Sequence, residues 1–207
     1  MKPRIATSTL IAAVTLILST WLLAAGLALA DVAAADRAHK SGNYQLAAQL
    51  YLAEANAGNA EAQNAVAIMY AAGEGLKQDY AAAKLWFTKA AMLGHPDAQY
   101  NLAICYLDGK GVDKNPVLAV KWFNAAAEQG MADAQTNLGV AYYLGEGVGR
   151  DLTEAFKWFT IAMGSGDRTA KSHREKMATE MNAAEIDTAK ARARAWQEDF
   201  LAKHHPK

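Results

Sequence analysis

Residues that could carry out catalysis or hold a metal are few in this sequence and stand far apart. The histidines are His39, His95, His173, His204 and His205, and none occurs in a His-Glu-x-x-His pairing or beside a pair of cysteines. Those two spacings commonly bind zinc. The chain also has no Gly-x-Ser-x-Gly sequence, which would mark a nucleophilic serine. We therefore predict no catalytic residue, no metal ligand and no cofactor.

The Gly-x-Gly pairs that recur at a spacing of 36 residues, Gly73/Gly75, Gly109/Gly111 and Gly145/Gly147, are the feature closest to a phosphate-binding loop. Each pair follows a helical pattern instead of a strand and precedes a residue that could cap a helix. We therefore interpret these glycines as helix ends, where glycine adopts the left-handed conformation without a Cβ clash. The elements around them repeat along the chain.

Three segments of the chain match one another: Ala60–Gly94, Pro96–Gly130 and Ala132–Gly166. Self-similarity at such a period predicts stacked structural repeats. The columns that agree in all three copies are Ala62/Ala98/Ala134, Tyr70/Tyr106/Tyr142, Gly73/Gly109/Gly145, Gly75/Gly111/Gly147, Ala83/Ala119/Ala155, Trp86/Trp122/Trp158 and Gly94/Gly130/Gly166.

Each repeat predicts two helices joined by a loop. In the first helix Ala62, Val66 and Met69 recur at spacings of three and four, which places them on one face. The second helix is expected to bury its tryptophan beside small alanines. Its N-cap is predicted at Asp79, Asn115 and Asp151.

The pattern Ala-x-x-x-Leu-Gly-x-x-Tyr, then Gly-x-Gly-Val, then Asp, then Ala-x-x-Trp-Phe resembles the Sel-one-like repeat (SLR) family of the tetratricopeptide-like superfamily. The resemblance implies an all-α fold, a right-handed superhelix or solenoid of three SLR helix pairs. We expect a degenerate helical repeat before these pairs, and capping helices and a disordered tail after them. The predicted boundaries are 31–57 for the degenerate repeat, 58–94, 95–130 and 131–166 for the three repeats, and 167–207 for the C-terminal cap.

The first thirty residues predict a targeting segment. Lys2 and Arg4 precede an uncharged apolar run that ends Ala-Leu-Ala before Asp31, the three parts of a secretory signal peptide. The run is also long enough to cross a bilayer, which takes roughly 20 apolar residues. Residues 1–30 are therefore either a cleaved signal peptide or a membrane anchor. Cleavage would leave the rest of the chain in the periplasm or secreted. An uncleaved anchor would hold it at the inner membrane, facing the periplasm.

Charge and cysteine content narrow the possible partners. The chain has 21 basic and 21 acidic residues, and nucleic-acid binding needs a basic surface, so we expect no nucleic-acid partner.

Cys105 is the single cysteine, which excludes an intramolecular disulfide. Its position on the apolar side of a first helix predicts that the thiol is buried. A redox role or an intermolecular disulfide is the alternative.

The resemblance implies that the first helices line the concave groove of the stack. An apolar stripe with carboxylates along one edge commonly marks a protein-binding surface, although such a stripe can equally be internal packing. The carboxylates of Glu61, Asp97 and Asp133 can equally serve to stabilise helix N-termini. No Lys or Arg cluster stands at these positions, so we expect no clamp for a peptide carboxylate. The candidate partner-binding residues are Asn64, Ile68, Tyr100, Ile104, Leu107, Thr136, Val140 and Tyr143.

Three functions follow from these observations. The leading one is a non-catalytic protein-interaction scaffold or regulator of the bacterial envelope, which holds a segment of another protein in the groove. The second is a secreted enzyme that binds or hydrolyses β-lactams, as the resemblance to cysteine-rich relatives implies, but this chain lacks their cysteine pairs. The third is a membrane-anchored structural spacer. The oligomeric state is not predicted.

Overall fold

The computed structural model describes residues 31–204. The predicted signal peptide or anchor at 1–30 and the last three residues lie outside the described residues. His204, which was expected to belong to a disordered tail, is instead the last residue of the final helix. Within the described range the elements are α1 (Val32–Lys40), α2 (Tyr44–Asn56), α3 (Ala60–Ala72), α4 (Tyr80–Met92), α5 (Pro96–Asp108), α6 (Pro116–Ala127), α7 (Ala132–Leu144), α8 (Leu152–Gly164), α9 (Arg168–Met177) and α10 (Ala183–His204).

The helices form a stack of consecutive pairs. Each helix from α1 to α8 packs on the helix that follows it in the chain, and α10 packs back on α8. Residues 31–204 contain no strand. The predicted all-α solenoid of helix pairs is therefore confirmed. No helix between 31 and 204 combines the length and apolarity needed to cross a membrane.

The predicted caps are also confirmed. Asp79 accepts hydrogen bonds from the backbone N–H groups of Ala81 and Ala82, and Asn115 and Asp151 make equivalent bonds at the starts of α6 and α8. These side chains satisfy backbone donors that a helix start leaves free. The first glycine of each Gly-x-Gly pair ends α3, α5 or α7 in the left-handed conformation.

The second glycine of each pair serves a different purpose, which is contact between repeats. Gly111 has φ +71°, and a Cβ atom added there would overlap the backbone carbonyl of Tyr80 at the start of α4. Gly75 and Gly147 make the same approach to Tyr44 and Pro116. Each loop therefore packs directly against the backbone of the preceding repeat.

The core differs in one respect from the expectation that all three tryptophans are buried. Trp158 is 2% exposed, whereas Trp86 and Trp122 are half-buried, with a lysine ammonium over each ring. The aromatic side chains that are buried in every repeat are instead the neighbouring phenylalanines, Phe87, Phe123 and Phe159. Trp158 is the exception because α10 covers it, with the Trp196 ring 5.8 Å away.

The C-terminal helices close the stack. Asn182 and Glu185 make the predicted reciprocal capping bonds at the start of α10. Ala189 and Ala193 are buried against α8, and Ile186 and Trp196 pack beside them. The remaining surface of α10 is mostly charged and exposed, as expected of the last element of a repeat stack.

Candidate functional site

The candidate site is the face formed by the first helices α3, α5 and α7, which we call the first-helix face. It carries the eight residues that were predicted to bind a partner. Ile68 is the most accessible, with 43% of its surface exposed. The other apolar members are half-buried: Tyr100, Ile104, Leu107, Val140 and Tyr143.

The two polar candidates, Asn64 and Thr136, are each only 8% exposed. The Asn64 Oδ1 atom accepts a hydrogen bond of 3.5 Å from the Asn101 amide. The Thr136 hydroxyl donates to Asp167 over 2.5 Å. Burial opposes ionisation of Asp167, but this bond and those from two backbone N–H groups lower its pKa below the usual value. Asn64 and Thr136 therefore join neighbouring repeats and present little surface to a partner.

The largest opening on the first-helix face lies between the first and second repeats. This central cleft has a volume of about 380 Å³ and is formed by α3, α4 and α5, with Lys110 at its edge. The Lys110 ammonium is 2.9 Å from the Asp108 carboxylate. The lining residues are Ile68, Ala71, Ala72, Tyr80, Ala83, Phe87, Asn101, Ile104, Cys105 and Lys110.

Cys105 lies in the wall of the central cleft and is 6% exposed. The predicted burial of its thiol is confirmed. Burial raises the pKa of the Cys105 thiol, and the nearby Asp108 carboxylate adds to the rise. Because the thiolate is the reactive form, the burial and the raised pKa both disfavour reaction of this cysteine, although the Lys110 ammonium opposes the rise.

Two further clefts occupy equivalent places along the same face. The C-terminal cleft, about 120 Å³, is lined by residues that stand two repeat periods after the lining of the central cleft: Val140, Tyr143, Leu144, Phe159, His173 and Lys176. The N-terminal cleft, about 150 Å³, is lined by His39, Tyr51, Ala65, Ile68 and Met69. In that set Tyr51, Ala65 and Met69 stand one period before Phe87, Asn101 and Cys105. Ile68 borders both the N-terminal and the central cleft.

Between the second and third repeats the corresponding place is filled. Leu107 stands where the first repeat has Ala71, and it packs with Tyr100 against the core around Phe123. The Tyr100 and Phe123 ring centroids are 5.7 Å apart. Burial raises the pKa of Tyr100, and the Asp133 carboxylate adds to the rise, so its hydroxyl stays neutral. Leu107 thus packs into the place that stays open beside Ala71 in the first repeat.

Several cleft residues were missed from the sequence because they come from outside the three first helices. Tyr80 belongs to a second helix, Lys110 to a loop, and His173 and Lys176 to α9. Helix α9 occupies the place of a fourth first helix, and its His173 ring stacks on Phe159 with centroids 5.1 Å apart. The candidate positions on α3, α5 and α7 include no Lys or Arg cluster, as the sequence indicates. The neighbouring loop and α9 place Lys110 and Lys176 beside the clefts.

The carboxylates of Glu61, Asp97 and Asp133 all lie in the first turns of their helices and are exposed. Along the helix axis, Glu61 and Asp97 are about 6 Å and Asp133 is about 10 Å from the nearest cleft-lining residue of the same helix, given a rise of about 1.5 Å per residue. Within residues 31–204 no group of three or more His, Cys, Asp or Glu side chains is placed to hold a metal ion.

Comparison with known proteins identifies the repeats. The Sel1 repeat matches residues 60–95, 96–131 and 132–167. The fold is similar to that of a Sel1 repeat protein from Oxalobacter formigenes, with 32% sequence identity and a TM-score of 0.67, over 70% of this chain and 59% of that one. It is also similar to c5321, a protective antigen of uropathogenic Escherichia coli strains with an SLR fold, with 27% identity and a TM-score of 0.58, over 78% of this chain and 44% of that one.

The chain therefore spans about half the length of these two relatives. No curated protein sequence matches it significantly. The matched repeats cover just over half of the 207 residues. Their three consecutive copies and the shared fold show that the chain belongs to the Sel1 repeat family, whose repeats form protein-interaction scaffolds.

Proposed function

We propose that the chain is a non-catalytic scaffold of the bacterial envelope that binds an extended segment of a partner protein along its first-helix face. The observation that carries this proposal is the recurrence of the clefts at three equivalent positions along the stack of helix pairs. A surface with openings at regular intervals can bind a ligand whose side chains recur at matching intervals, because each opening can receive one side chain.

The spacing of the clefts favours an extended segment. The first helices of neighbouring repeats adjoin, since the Asn101 side chain reaches Asn64, and adjoining helices are about 8–10 Å apart. An extended chain advances about 3.3 Å per residue. Side chains about three residues apart would therefore reach the N-terminal and central clefts. The C-terminal cleft, two repeats further on, would take a side chain about six residues beyond the second.

The chemistry of the clefts favours apolar side chains flanked by acidic residues. The walls are formed by Ile68, Phe87, Ile104 and equivalent side chains. Each cleft also has a basic group at its edge, and these groups are His39, Lys110 and Lys176. An apolar anchor buries its surface in the wall. A neighbouring carboxylate would contact Lys176, because His39 and Lys110 already contact the carboxylates of Glu74 and Asp108. The buried anchors supply most of the affinity in such interfaces.

Replacing Ile68 with glutamate tests this proposal, because Ile68 borders two clefts and its exposure makes the substitution tolerable for the fold. Peptides of twelve residues selected against the full chain are expected to show apolar residues at spacings of three. Their affinity for Ile68→Glu should fall at least tenfold, since a charge would be buried beside each anchor.

Leu85→Glu is the matched control, because Leu85 lies in the second helix of the same repeat and is 53% exposed. We expect this variant to bind the selected peptides as the wild type does. Equal losses in both variants, or no loss in either, would refute the assignment of the first-helix face.

The envelope setting is supported by the basic start, apolar run and Ala-Leu-Ala ending of residues 1–30. We propose that this segment is cleaved after Ala30. N-terminal sequencing of the protein purified from its natural source should then begin at Asp31. A start at Met1 would instead support a membrane-anchored protein, in which the solenoid could also act as a spacer.

A further inference from the structure

A column of buried glutamines runs through the repeats on the side away from the clefts. Gln63, Gln99 and Gln135 each donate a hydrogen bond from Nε2 to a carbonyl near the end of the preceding second helix, over 3.0, 3.2 and 3.1 Å. Each side chain therefore has one carbonyl oxygen, Oε1, left to be satisfied. The three repeats differ in how they satisfy it.

In the second repeat Oε1 of Gln99 accepts a hydrogen bond of 2.7 Å from the Gln129 amide. The position one period after Gln129 is Ser165, whose side chain is much shorter. Gln135 is 1% exposed, and its Oε1 atom has no hydrogen-bond partner among the described residues. Burying an acceptor without a donor is unfavourable, so the third repeat lacks a group that the second repeat supplies.

An opening lies where that group would be. This terminal cleft has a volume of about 260 Å³ between the start of α7, the end of α8 and the end of α10, and it shares no residue with the clefts of the first-helix face. Trp196 and Phe200 form an aromatic wall, with ring centroids 4.9 Å apart and an interplanar angle of 16°. The lining residues are Gly130, Gln135, Ile161, Gly164, Ser165, Trp196, Gln197, Phe200 and Leu201.

We propose that the terminal cleft binds a primary carboxamide attached to an apolar group. The carboxamide would donate to Oε1 of Gln135, as the Gln129 amide does to Gln99 one repeat earlier. The apolar group would pack on Trp196, Phe200 and Ile161. An aromatic ring would make stacked or edge contacts there, and the methylene groups of a glutamine side chain would bury apolar surface. Its source is either a small aromatic amide or a glutamine side chain of a protein.

The first repeat provides an internal comparison. The Gln63 Oε1 atom also lacks a partner, and Leu93 stands at the position of Gln129. The aromatic wall of the terminal cleft comes from α10, which packs on α8 at the other end of the stack. We therefore expect carboxamide binding at Gln135 and none at Gln63.

Titration of the full chain with benzamide, followed by nuclear magnetic resonance, tests the proposal. We expect saturable shifts of the Trp196 indole N–H and of the Gln135 and Gln197 side-chain amides at millimolar benzamide. Acetophenone has a methyl group in place of the NH2 group, so it has the same shape but no N–H donor and should bind at least tenfold more weakly. Equal binding of the two compounds, or no binding of benzamide, would overturn the proposal without any variant.

The variant Ser165→Gln would place an amide side chain near Gln135, at the position that Gln129 holds one repeat earlier. Since it reproduces the contact of Gln129 with Gln99, we expect a higher melting temperature and at least tenfold weaker benzamide binding. Ser172→Gln is the control, because Ser172 is exposed on α9 and absent from the cleft lining. Benzamide binding that survives Ser165→Gln unchanged would place the ligand elsewhere and contradict the proposal.

A second probe, the methylamide of N-acetylglutamine, separates the two sources of the carboxamide. Tighter binding of benzamide would support a small aromatic amide as the ligand. Tighter binding of the glutamine derivative would support a protein side chain. Both results support the shared carboxamide chemistry, and failure of both probes would overturn it.

Discussion

Replacing Trp158 with alanine is expected to lower the free energy of unfolding by about 3–5 kcal/mol, the usual cost of removing a buried aromatic side chain. Trp158 is the largest fully buried side chain of the described residues. It packs in one cluster with Phe123, Ile161 and Ala193. The substitution would therefore open a cavity between the third repeat and α10. Urea unfolding followed by circular dichroism measures the change.

Trp122→Ala is the matched control, because Trp122 holds the same column one repeat earlier but is only half-buried. Less of its surface leaves water on folding, and its loss leaves a smaller cavity, so we expect less than half the destabilisation of Trp158→Ala. Equal losses in the two variants would contradict the special role of α10 as a cover for Trp158.

Replacing Gly111 with alanine is expected to destabilise the fold by roughly 2–5 kcal/mol. The left-handed conformation costs a residue with a Cβ atom roughly 1–2 kcal/mol. Displacing the overlapping carbonyl of Tyr80 adds a packing penalty of about 1–3 kcal/mol. The second cost arises between repeats, so the variant should loosen the contact of the first repeat with the second. Thermal unfolding with proteolysis of the partly folded protein would detect both effects.

Gly94→Ala separates the two costs. Gly94 also has a positive φ, +89°, but a Cβ atom added there would have no heavy atom within 4 Å. We expect only the conformational cost of roughly 1–2 kcal/mol in this control. If Gly94→Ala proves as destabilising as Gly111→Ala, the close approach of the loop to Tyr80 contributes nothing.

The helices and their caps could be predicted because they depend on residues close together in the chain. Asp79, Asn115 and Asp151 bond to backbone groups two or three residues on, and the spacing alone reveals this. The same is true of the capping pair Asn182 and Glu185. Repetition at one period then made the stacking of these units predictable, because one helix pair cannot bury its apolar faces alone.

The surface was less predictable because exposure depends on neighbours from other repeats. Trp86 and Trp158 occupy the same column, yet only Trp158 is covered by α10. Asn64 was expected to face a partner, but the Asn101 side chain of the next repeat engages it. Ala71 lines the central cleft, whereas Leu107, at the same position one repeat later, packs against the core. Their packing could not be judged from one repeat alone.

The buried glutamine column had a visible signal that went unused. The sequence Ala-Gln recurs at the start of α3, α5 and α7, which is an unusual place for an invariant polar residue on an apolar face. Buried amides are expected to be hydrogen-bonded, so a repeated glutamine indicates a repeated partner. The identity of that partner, a backbone carbonyl of the preceding helix pair, required the structure.

The most direct test of partner binding along the first-helix face is site-specific photo-crosslinking in the native cell. A photoreactive amino acid at position 68 would lie between two clefts, and one at position 85 would lie on the second helix of the same repeat with similar exposure. We predict a discrete crosslinked partner from position 68, joined through an apolar extended segment, and none from position 85. The same products from both positions, or products from position 85 alone, would contradict the account.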